Sequence, residues 1–88
     1  LHQNYPNPFN PITTIQYDVP YQSDIRLVIY DILGREVVQL VNKTLDAGYH
    51  TTMWNGQDHL GLPVSAGIYF FQIQSNDFVK TQKMILLK

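Results

Sequence analysis

The side chains that could act as nucleophiles, bases or metal ligands are few and lie far apart in this sequence. None of the three serines lies in the Gly-x-Ser-x-Gly pattern that exposes a nucleophile on a strained turn. His2, His50 and His59 show neither His-Glu-x-x-His nor His-x-His spacing. With no cysteine in the chain, disulfides, thiolate metal sites and thiol nucleophiles are excluded. The residue types therefore predict neither a catalytic triad nor a zinc site.

One acidic loop has some of the character of a cation site. Asn55, Gln57 and Asp58 supply side-chain oxygens, and Gly61 allows a kink, as in loops that hold Ca²⁺. A calcium loop of the EF-hand type needs more carboxylates and ends in a bidentate glutamate. The loop from 55 to 61 contains Asp58 as its single carboxylate. We favour hydrogen bonding of these side chains to the turn backbone, keep Ca²⁺ near Asn55 and Asp58 as the alternative, and expect no other cofactor.

The aromatic side chains allow either a sugar-stacking platform or a packed core. Tyr49, Trp54, Tyr69 and Phe71 are the candidates for both roles. A small domain without disulfides depends on the large area that buried aromatic residues contribute. We therefore expect these four residues in the core, with Trp54 as an anchor.

The composition limits the elements that could position these residues. The chain has 88 residues, 44% of them hydrophobic and 15% charged, which predicts one globular domain over residues 1–88. The net charge is −1 with scattered lysines and arginines, so a nucleic acid would find no basic surface. No apolar run approaches the roughly 18 to 20 residues that span a bilayer. The first residue is Leu1, and we expect the chain to be the C-terminal part of a longer secreted protein.

Alternation of apolar and polar residues predicts an all-β domain. Ile15, Tyr17 and Val19 alternate with polar residues, and later runs repeat the pattern between turn residues. The run from 37 to 41 is rich in valine, which favours a strand over a helix there. The predicted strands begin near Ile12, Ile25, Val37, Tyr49, Ile68 and Phe78. Short strands at this spacing, about seven in all, are typical of an immunoglobulin-like antiparallel β-sandwich.

Turns and the opening segment complete this organisation. Gly34 is placed where a short hairpin loop needs a positive φ, and Asn76-Asp77 is a connection whose residues tolerate the same conformation. Prolines make a central strand impossible over residues 5–11. We expect residues 1–11 to be an extended lead-in along a sheet edge, with Tyr5 and Phe9 packing beneath it.

Blocks of sequence along nearly the whole chain resemble the type A carboxy-terminal sorting domains of type IX secretion. The family pattern is carried by Pro6, Asn7, Pro8 and Phe9 at the start, then by Gly34, Trp54, Gly56, Asp58 and Gly61, then by Gly67 and Tyr69, and finally by the tail from Lys83 to Lys88. The middle of the pattern also resembles the immunoglobulin-like domain of flagellar hook-capping proteins. Asn55 stands where the family usually has Asp, and Ala66 where Ser often precedes Gly-x-Tyr.

The resemblance implies a non-catalytic module that directs an upstream cargo domain to the cell surface. Members of the family pass through the periplasm, are recognised by an outer-membrane translocon and are processed by sortase-like surface machinery. The resemblance places recognition on Gly67, Tyr69, Lys83 and Lys88. The last strand could be bound by addition of a partner strand to its edge, with the lysines discriminating; the alternative is an ordinary final strand whose lysines prevent aggregation.

Two other functions remain open from the sequence. A permanent structural or adhesive domain of an extracellular protein would have the same fold. A carbohydrate-binding accessory domain of a hydrolase would use the aromatic residues, Trp54 above all.

Overall fold

The computed structural model describes residues 1–87, which form six β-strands and no helix. The strands are β1 (Thr13–Val19), β2 (Ser23–Asp31), β3 (Glu36–Leu45), β4 (Gly48–Trp54), β5 (Gly67–Gln74) and β6 (Val79–Leu86). They confirm the all-β class and the strand assignment of the valine-rich run, with six strands in place of about seven. This part of the chain contains no helix with the length and apolarity needed to cross a bilayer.

All strand pairs are antiparallel and form two sheets. The smaller sheet has the order β1-β4, and the larger has the order β3-β2-β5-β6. The predicted row on β1 is buried between the sheets, together with alternating apolar rows on β2, β5 and β6. They are Ile15, Tyr17 and Val19 on β1, Ile25, Leu27 and Ile29 on β2, Tyr69, Phe71 and Ile73 on β5, and Met84 and Leu86 on β6. The sandwich therefore has one continuous core.

Residues 2–9, which we call the strap, connect the edges of the two sheets. The amide of His2 donates to Gln16 O at 3.0 Å, and Tyr5 exchanges both backbone hydrogen bonds with Thr14, so the first half covers the edge of β1. Phe9 bridges Leu86 in parallel orientation, so the second half lies along β6. This confirms the expected lead-in along a sheet edge. Phe9 is buried as predicted, but Tyr5 is 81% exposed, so the prediction that it packs beneath the strap was wrong.

Two of the predicted turns have different outcomes. Gly34 has φ 82°, and its amide donates to Asp31 O at 3.0 Å in a three-residue hairpin loop, as expected. The prediction of left-handed backbone at Asn76-Asp77 was wrong, because every positive φ in residues 1–87 belongs to a glycine. Ser75 Oγ accepts hydrogen bonds from the amides of Asp77 and Phe78 at 3.2 and 3.3 Å. This hydroxyl closes the turn without a positive φ.

Candidate recognition surface

Three aromatic side chains meet where the strap reaches the core. Trp54 is 1% exposed and lies between Phe9 and Tyr69, with ring centroids 5.7 and 5.3 Å away. Trp54 Nε1 donates to the carbonyl of Gln57 at 2.9 Å, and the Tyr69 hydroxyl donates to the carbonyl of Ser65 at 2.6 Å. Both polar groups are thus satisfied while their rings are buried. The cluster joins the strap, β4 and β5 into one unit.

Gly56 continues this cluster toward the last strand. It is buried with φ 74°, and a Cβ built on it would lie 3.3 Å from Pro11 O and 3.7 Å from a Leu86 methyl carbon. A side chain there would be strained by its backbone and crowded by its neighbours. The blocks that carry the family pattern therefore meet in space: the strap, the Trp54 turn, the start of β5 and the end of β6. They form a packed structural centre.

Two loops beside this centre have the same hydrogen-bonding pattern. The expected bonding of Asp58 to its own turn backbone is confirmed, whereas its repetition in a second loop was not predicted. In the loop from 31 to 35, Asp31 Oδ1 accepts hydrogen bonds from the amides of Leu33 and Arg35, both at 2.9 Å. In the loop from 58 to 62, Asp58 Oδ1 accepts from the amides of Leu60 and Leu62 at 2.9 and 3.0 Å. The repeated Asp-x-Leu-Gly spelling was the available signal.

The two loops share one end of the sandwich. The amide of His59 donates to the carbonyl of Val37 at 3.2 Å, which ties the second loop to the strand that follows the first. The aliphatic side chains at the loop tips are exposed by 57 to 73%: Ile32, Leu33, Leu60 and Leu62. Gly67 begins β5 at this end, is half-buried, and has open space around the position of a Cβ. Ile32 and Leu33 line one shallow groove with Gly67, and Asp31 and Arg35 line it too, so the surface beside Gly67 is both apolar and charged.

The carboxylate of the first loop and the neighbouring Tyr69 hydroxyl have shifted pKa values. The amide of Arg35 lowers the pKa of Asp31; desolvation opposes this, and the Arg35 side chain, 2.8 Å away, lowers the pKa further. Burial raises the pKa of Tyr69, and the charge on Asp31 adds to that effect. The Asp31 carboxylate is therefore held ionised as part of the turn.

The last strand does not offer its edge freely to a partner. The amide of Phe9 donates to Ile85 O at 3.0 Å, and the amide of Leu87 donates to Phe9 O at 2.7 Å. Asn7 Oδ1 accepts from the amide of Ile85 at 3.0 Å, and Gln3 Nε2 donates to Lys83 O at 3.2 Å. The strap thus occupies the edge from Lys83 to Leu87, where the sequence had suggested strand addition.

The predicted site residues separate into buried and exposed groups. Tyr69 is 7% exposed, so its side chain supports the surface from beneath. Lys83 is exposed, whereas Lys88 lies outside the described residues. Pro8 is exposed in the strap, and the carbonyl of Pro6 accepts from the buried Thr13 hydroxyl at 2.8 Å.

The candidate cation loop and the aromatic platform can also be located. Asp58 Oδ1 is used by the turn, and Asn55 Nδ2 donates to Gln57 Oε1 at 3.1 Å. Within residues 1–87 no three potential His, Asp or Glu ligands lie close together. Of the four aromatic residues expected in the core, Trp54, Tyr69 and Phe71 are buried; the prediction for Tyr49 was wrong, because it lies on the outer face of β4 and is 84% exposed.

Comparison with solved structures identifies the fold. PorU of Porphyromonas gingivalis, solved as a latent dimer, has 22% identity and a TM-score of 0.76 over 97% of this chain and 9% of its own. PorZ of the same organism, an essential surface component of its type IX secretion system, has 22% identity and a TM-score of 0.68 over 98% of this chain and 11% of its own. FlgD of P. aeruginosa has 25% identity and a TM-score of 0.67 over 84% of this chain and 57% of its own.

These similarities confirm the immunoglobulin-like fold, and the chain spans only about one-tenth of PorZ and PorU. No curated protein matches the chain. The family model described as a secretion system C-terminal sorting domain matches residues 3–87, which includes every motif block within the described part of the chain. The chain therefore belongs to the family of C-terminal sorting domains of type IX secretion.

Proposed function

We propose that this domain is a non-catalytic sorting and anchoring module that directs an upstream cargo across the outer membrane to the cell surface. Membership of the sorting-domain family over residues 3–87 supports the proposal. In it, a translocon recognises the domain from the periplasmic side, and sortase-like machinery then processes it at the surface. The domain works without a cofactor, and its Asp31 and Asp58 carboxylates stabilise turns.

The observation that carries the proposal is the convergence of the motif blocks on one packed centre. Phe9, Trp54 and Tyr69 come from three distant blocks and are in contact. Met84 and Leu86, from the last block, are buried in the same core. A signal built in this way is a folded surface, so we propose that the translocon reads the assembled end of the sandwich.

We assign the recognition to the exposed groups around this centre. Lys83 is exposed on the last strand and lies opposite Phe70 in the register. Gly67 lies opposite Leu86, where the last strand ends. In this proposal the lysine supplies a positive charge, and the glycine, which has no side chain, lets the translocon approach the backbone closely. The buried Tyr69 side chain holds the intervening backbone in place from the core.

The test is surface delivery of a reporter fused ahead of residues 1–88 in a host that has the type IX system. Deleting the tail from Lys83 to Lys88 would remove the buried Met84 and Leu86, so it would unfold the domain and answer nothing. Lys83→Gln and Lys88→Gln change charge alone. We expect delivery of the unmodified fusion and a several-fold loss in the double variant.

Lys43→Gln is the matched control, because Lys43 is exposed on β3, far along the sheet from the last strand. Its delivery should equal that of the unmodified fusion. A folded fusion that stays in the periplasm contradicts the sorting function. Normal delivery of the double lysine variant contradicts only the assignment of recognition to the lysines.

The main alternative is a domain that stays attached as a permanent adhesive or structural part. Mass spectrometry of the mature surface protein separates the two. Peptides from residues 5–87 in that mature protein would contradict removal by sortase-like machinery. Their absence, with the cargo present, is the result that we expect.

Carbohydrate binding is less well supported by the geometry. Trp54, Tyr69 and Phe71 are buried, and a stacking platform needs exposed rings. Tyr49 is exposed, but it is the single residue of the four that could meet a sugar. A Trp54→Ala variant should therefore lose stability and change no glycan affinity.

A further inference from the structure

The outer edge of β4 carries unpaired backbone groups. Alternate residues of β1, beginning with Thr14, bond to the strap, so the intervening residues bond to β4. Across the register those intervening residues face Gly48, His50, Thr52 and Trp54. The amides and carbonyls of Tyr49, Thr51 and Met53 therefore point away from β1. Within residues 1–87, no backbone hydrogen bond reaches them from another strand.

The side chains along this edge are exposed and uncharged. Tyr49 is 84% and Met53 63% exposed, and Thr51 between them is also exposed. Strand β4 has no Lys, Arg, Asp, Glu or Pro, the residues that normally protect an edge from pairing. The edge is therefore open to strand addition both in its backbone and in its side chains.

The other strand edges of the domain are protected. The strap covers the edge of β1 and the C-terminal half of the edge of β6. The edge strand β3 carries exposed Glu36 and Lys43, and its pairing with β2 is interrupted by register shifts. The uncovered half of β6 carries the exposed Lys80. Cover, charge and register shifts are the devices that proteins use against edge pairing, and among the strand edges in residues 1–87 β4 alone has none of them.

The side chains on the outer face of β4 are self-complementary about a two-fold axis through Thr51. In an antiparallel pair centred there, Thr51 faces Thr51 of the second copy, and Tyr49 faces Met53. Each of these positions is a hydrogen-bonded pair, so about six backbone hydrogen bonds form. A tyrosine beside a methionine and a threonine beside a threonine are favourable cross-strand neighbours. No like charges meet in this register.

We propose that the free edge of β4 pairs antiparallel with the same edge of a second copy of this chain. The two small sheets then form one four-stranded sheet in the order β1-β4-β4-β1, which removes the marginal two-stranded sheet of each copy. A second copy suits this edge better than a charged foreign strand, because the edge offers no charge to pair with one. The strap lies on the far edge of β1, so the upstream cargo leaves on the side away from the interface.

A single cysteine tests the register directly. Paired hydrogen-bonded residues have Cα atoms about 5.5 Å apart, which is within the range that a disulfide spans. The natural chain has no cysteine, so Thr51→Cys can form only the symmetric bond. We expect Thr51→Cys to oxidise to a covalent dimer in the 88-residue chain at concentrations on the order of 1 mM, as suits a small interface. Gln16→Cys is the control: Gln16 is exposed on the same face but one strand inward, opposite Thr51, and should remain largely monomeric.

Charge substitution at the two-fold position is the second test. Thr51→Lys places two lysines together and should raise the Kd for dimer formation at least tenfold, as measured by analytical ultracentrifugation. Thr51→Asp should do the same by repulsion of carboxylates. An equimolar mixture of the two variants should dimerise at least as tightly as the unmodified chain. Circular dichroism and urea unfolding of each variant confirm that it is folded.

The outcomes decide the proposal. Dimers of the unmodified chain that are lost in each charge variant and restored in the mixture support it. A folded chain that stays monomeric near 1 mM, or a dimer that both charge variants leave unchanged, overturns it. Cross-linking by Gln16→Cys as efficient as that by Thr51→Cys overturns the register. None of these results bears on surface delivery, which is measured separately.

Discussion

At the scale of single residues, Asp31 shows how one carboxylate fixes a loop. Its Oδ1 accepts hydrogen bonds from two backbone amides, and its Oδ2 accepts one from Arg35 Nε at 2.8 Å. Because the fold lowers its pKa, the carboxylate stabilises the folded chain above the pKa of about 3.9 that aspartate has in an unfolded chain. The stabilisation disappears as the pH falls through the lower value of the folded state.

We therefore expect Asp31→Asn to lower the free energy of unfolding at pH 7, and the difference from the unmodified chain to shrink as the pH falls below about 4. Urea unfolding at several pH values measures this. Arg35→Leu is the matched control, because it copies Leu62 in the second loop and leaves the Arg35 amide position able to donate. The pH dependence should be weaker in that background. A difference that stays constant from pH 7 to pH 3 would show that charge plays no part.

Single residues were also the scale at which sequence patterns were least reliable. Alternation correctly predicted the buried row of Ile15, Tyr17 and Val19. It could not place Tyr49, because both faces of β4 carry residues that suit a pleated surface. Tyr5 was misplaced because the strap follows the edge of β1, where the side chain beside Thr14 points to solvent. Exposure at such positions depends on which neighbour covers the strand, and that is a property of the fold.

At the scale of elements, the glycine turns between strands make a graded prediction. Gly34 and Gly61 have φ of 82° and 79° with open space around a Cβ, whereas Gly56 has φ 74° and a carbonyl oxygen 3.3 Å from that position. Alanine at Gly34 or Gly61 should cost about 1 to 2 kcal/mol of unfolding free energy, from the left-handed backbone alone. Alanine at Gly56 should cost more, since its methyl group would crowd the Pro11 carbonyl and the buried Leu86 side chain.

Urea unfolding of the three alanine variants gives the comparison. Gly34→Ala serves as the internal control for backbone strain without crowding. Equal losses at Gly34 and Gly56 would mean that the Pro11 carbonyl moves away from the added methyl group at no cost. A loss of unfolding free energy in these variants would show that the family glycines at 34, 56 and 61 are needed for the turns themselves.

Elements also mark how far sequence could predict the fold. Strand positions followed from local patterns, because alternation and turn residues act over a few neighbours. The pairing of Phe9 with Leu86 joins the two ends of the chain and leaves no local signal. Local patterns therefore could not show that the strap covers the edge of the last strand, which the sequence analysis expected to be free. The likeness of the two Asp-x-Leu-Gly loops was visible in the sequence and was missed.

At the scale of the whole molecule, the strap makes the two sheets one folding unit. Its first half bonds to β1, its second half bonds to β6, and Phe9 fills the core between them. Truncating a buried phenylalanine to alanine costs about 3 to 5 kcal/mol. A domain of this length has a total stability of roughly 4 to 13 kcal/mol. Loss of the strap thus removes a large share of the stability and also opens both edges.

We expect a chain that begins at Asn10 to show no cooperative unfolding transition, or one at far lower urea concentration than the full chain. A synthetic peptide of residues 1–9 should restore the transition, because the edges of β1 and β6 and the space beside Trp54 remain available to it. Trp54 fluorescence reports binding, since Phe9 packs against its ring. The same peptide with Phe9→Ala is the control and should restore little, whereas Tyr5→Ala should restore as much as the natural sequence, because Tyr5 is exposed. A truncated chain with the urea midpoint of the full chain would show that the sheets are coupled without the strap.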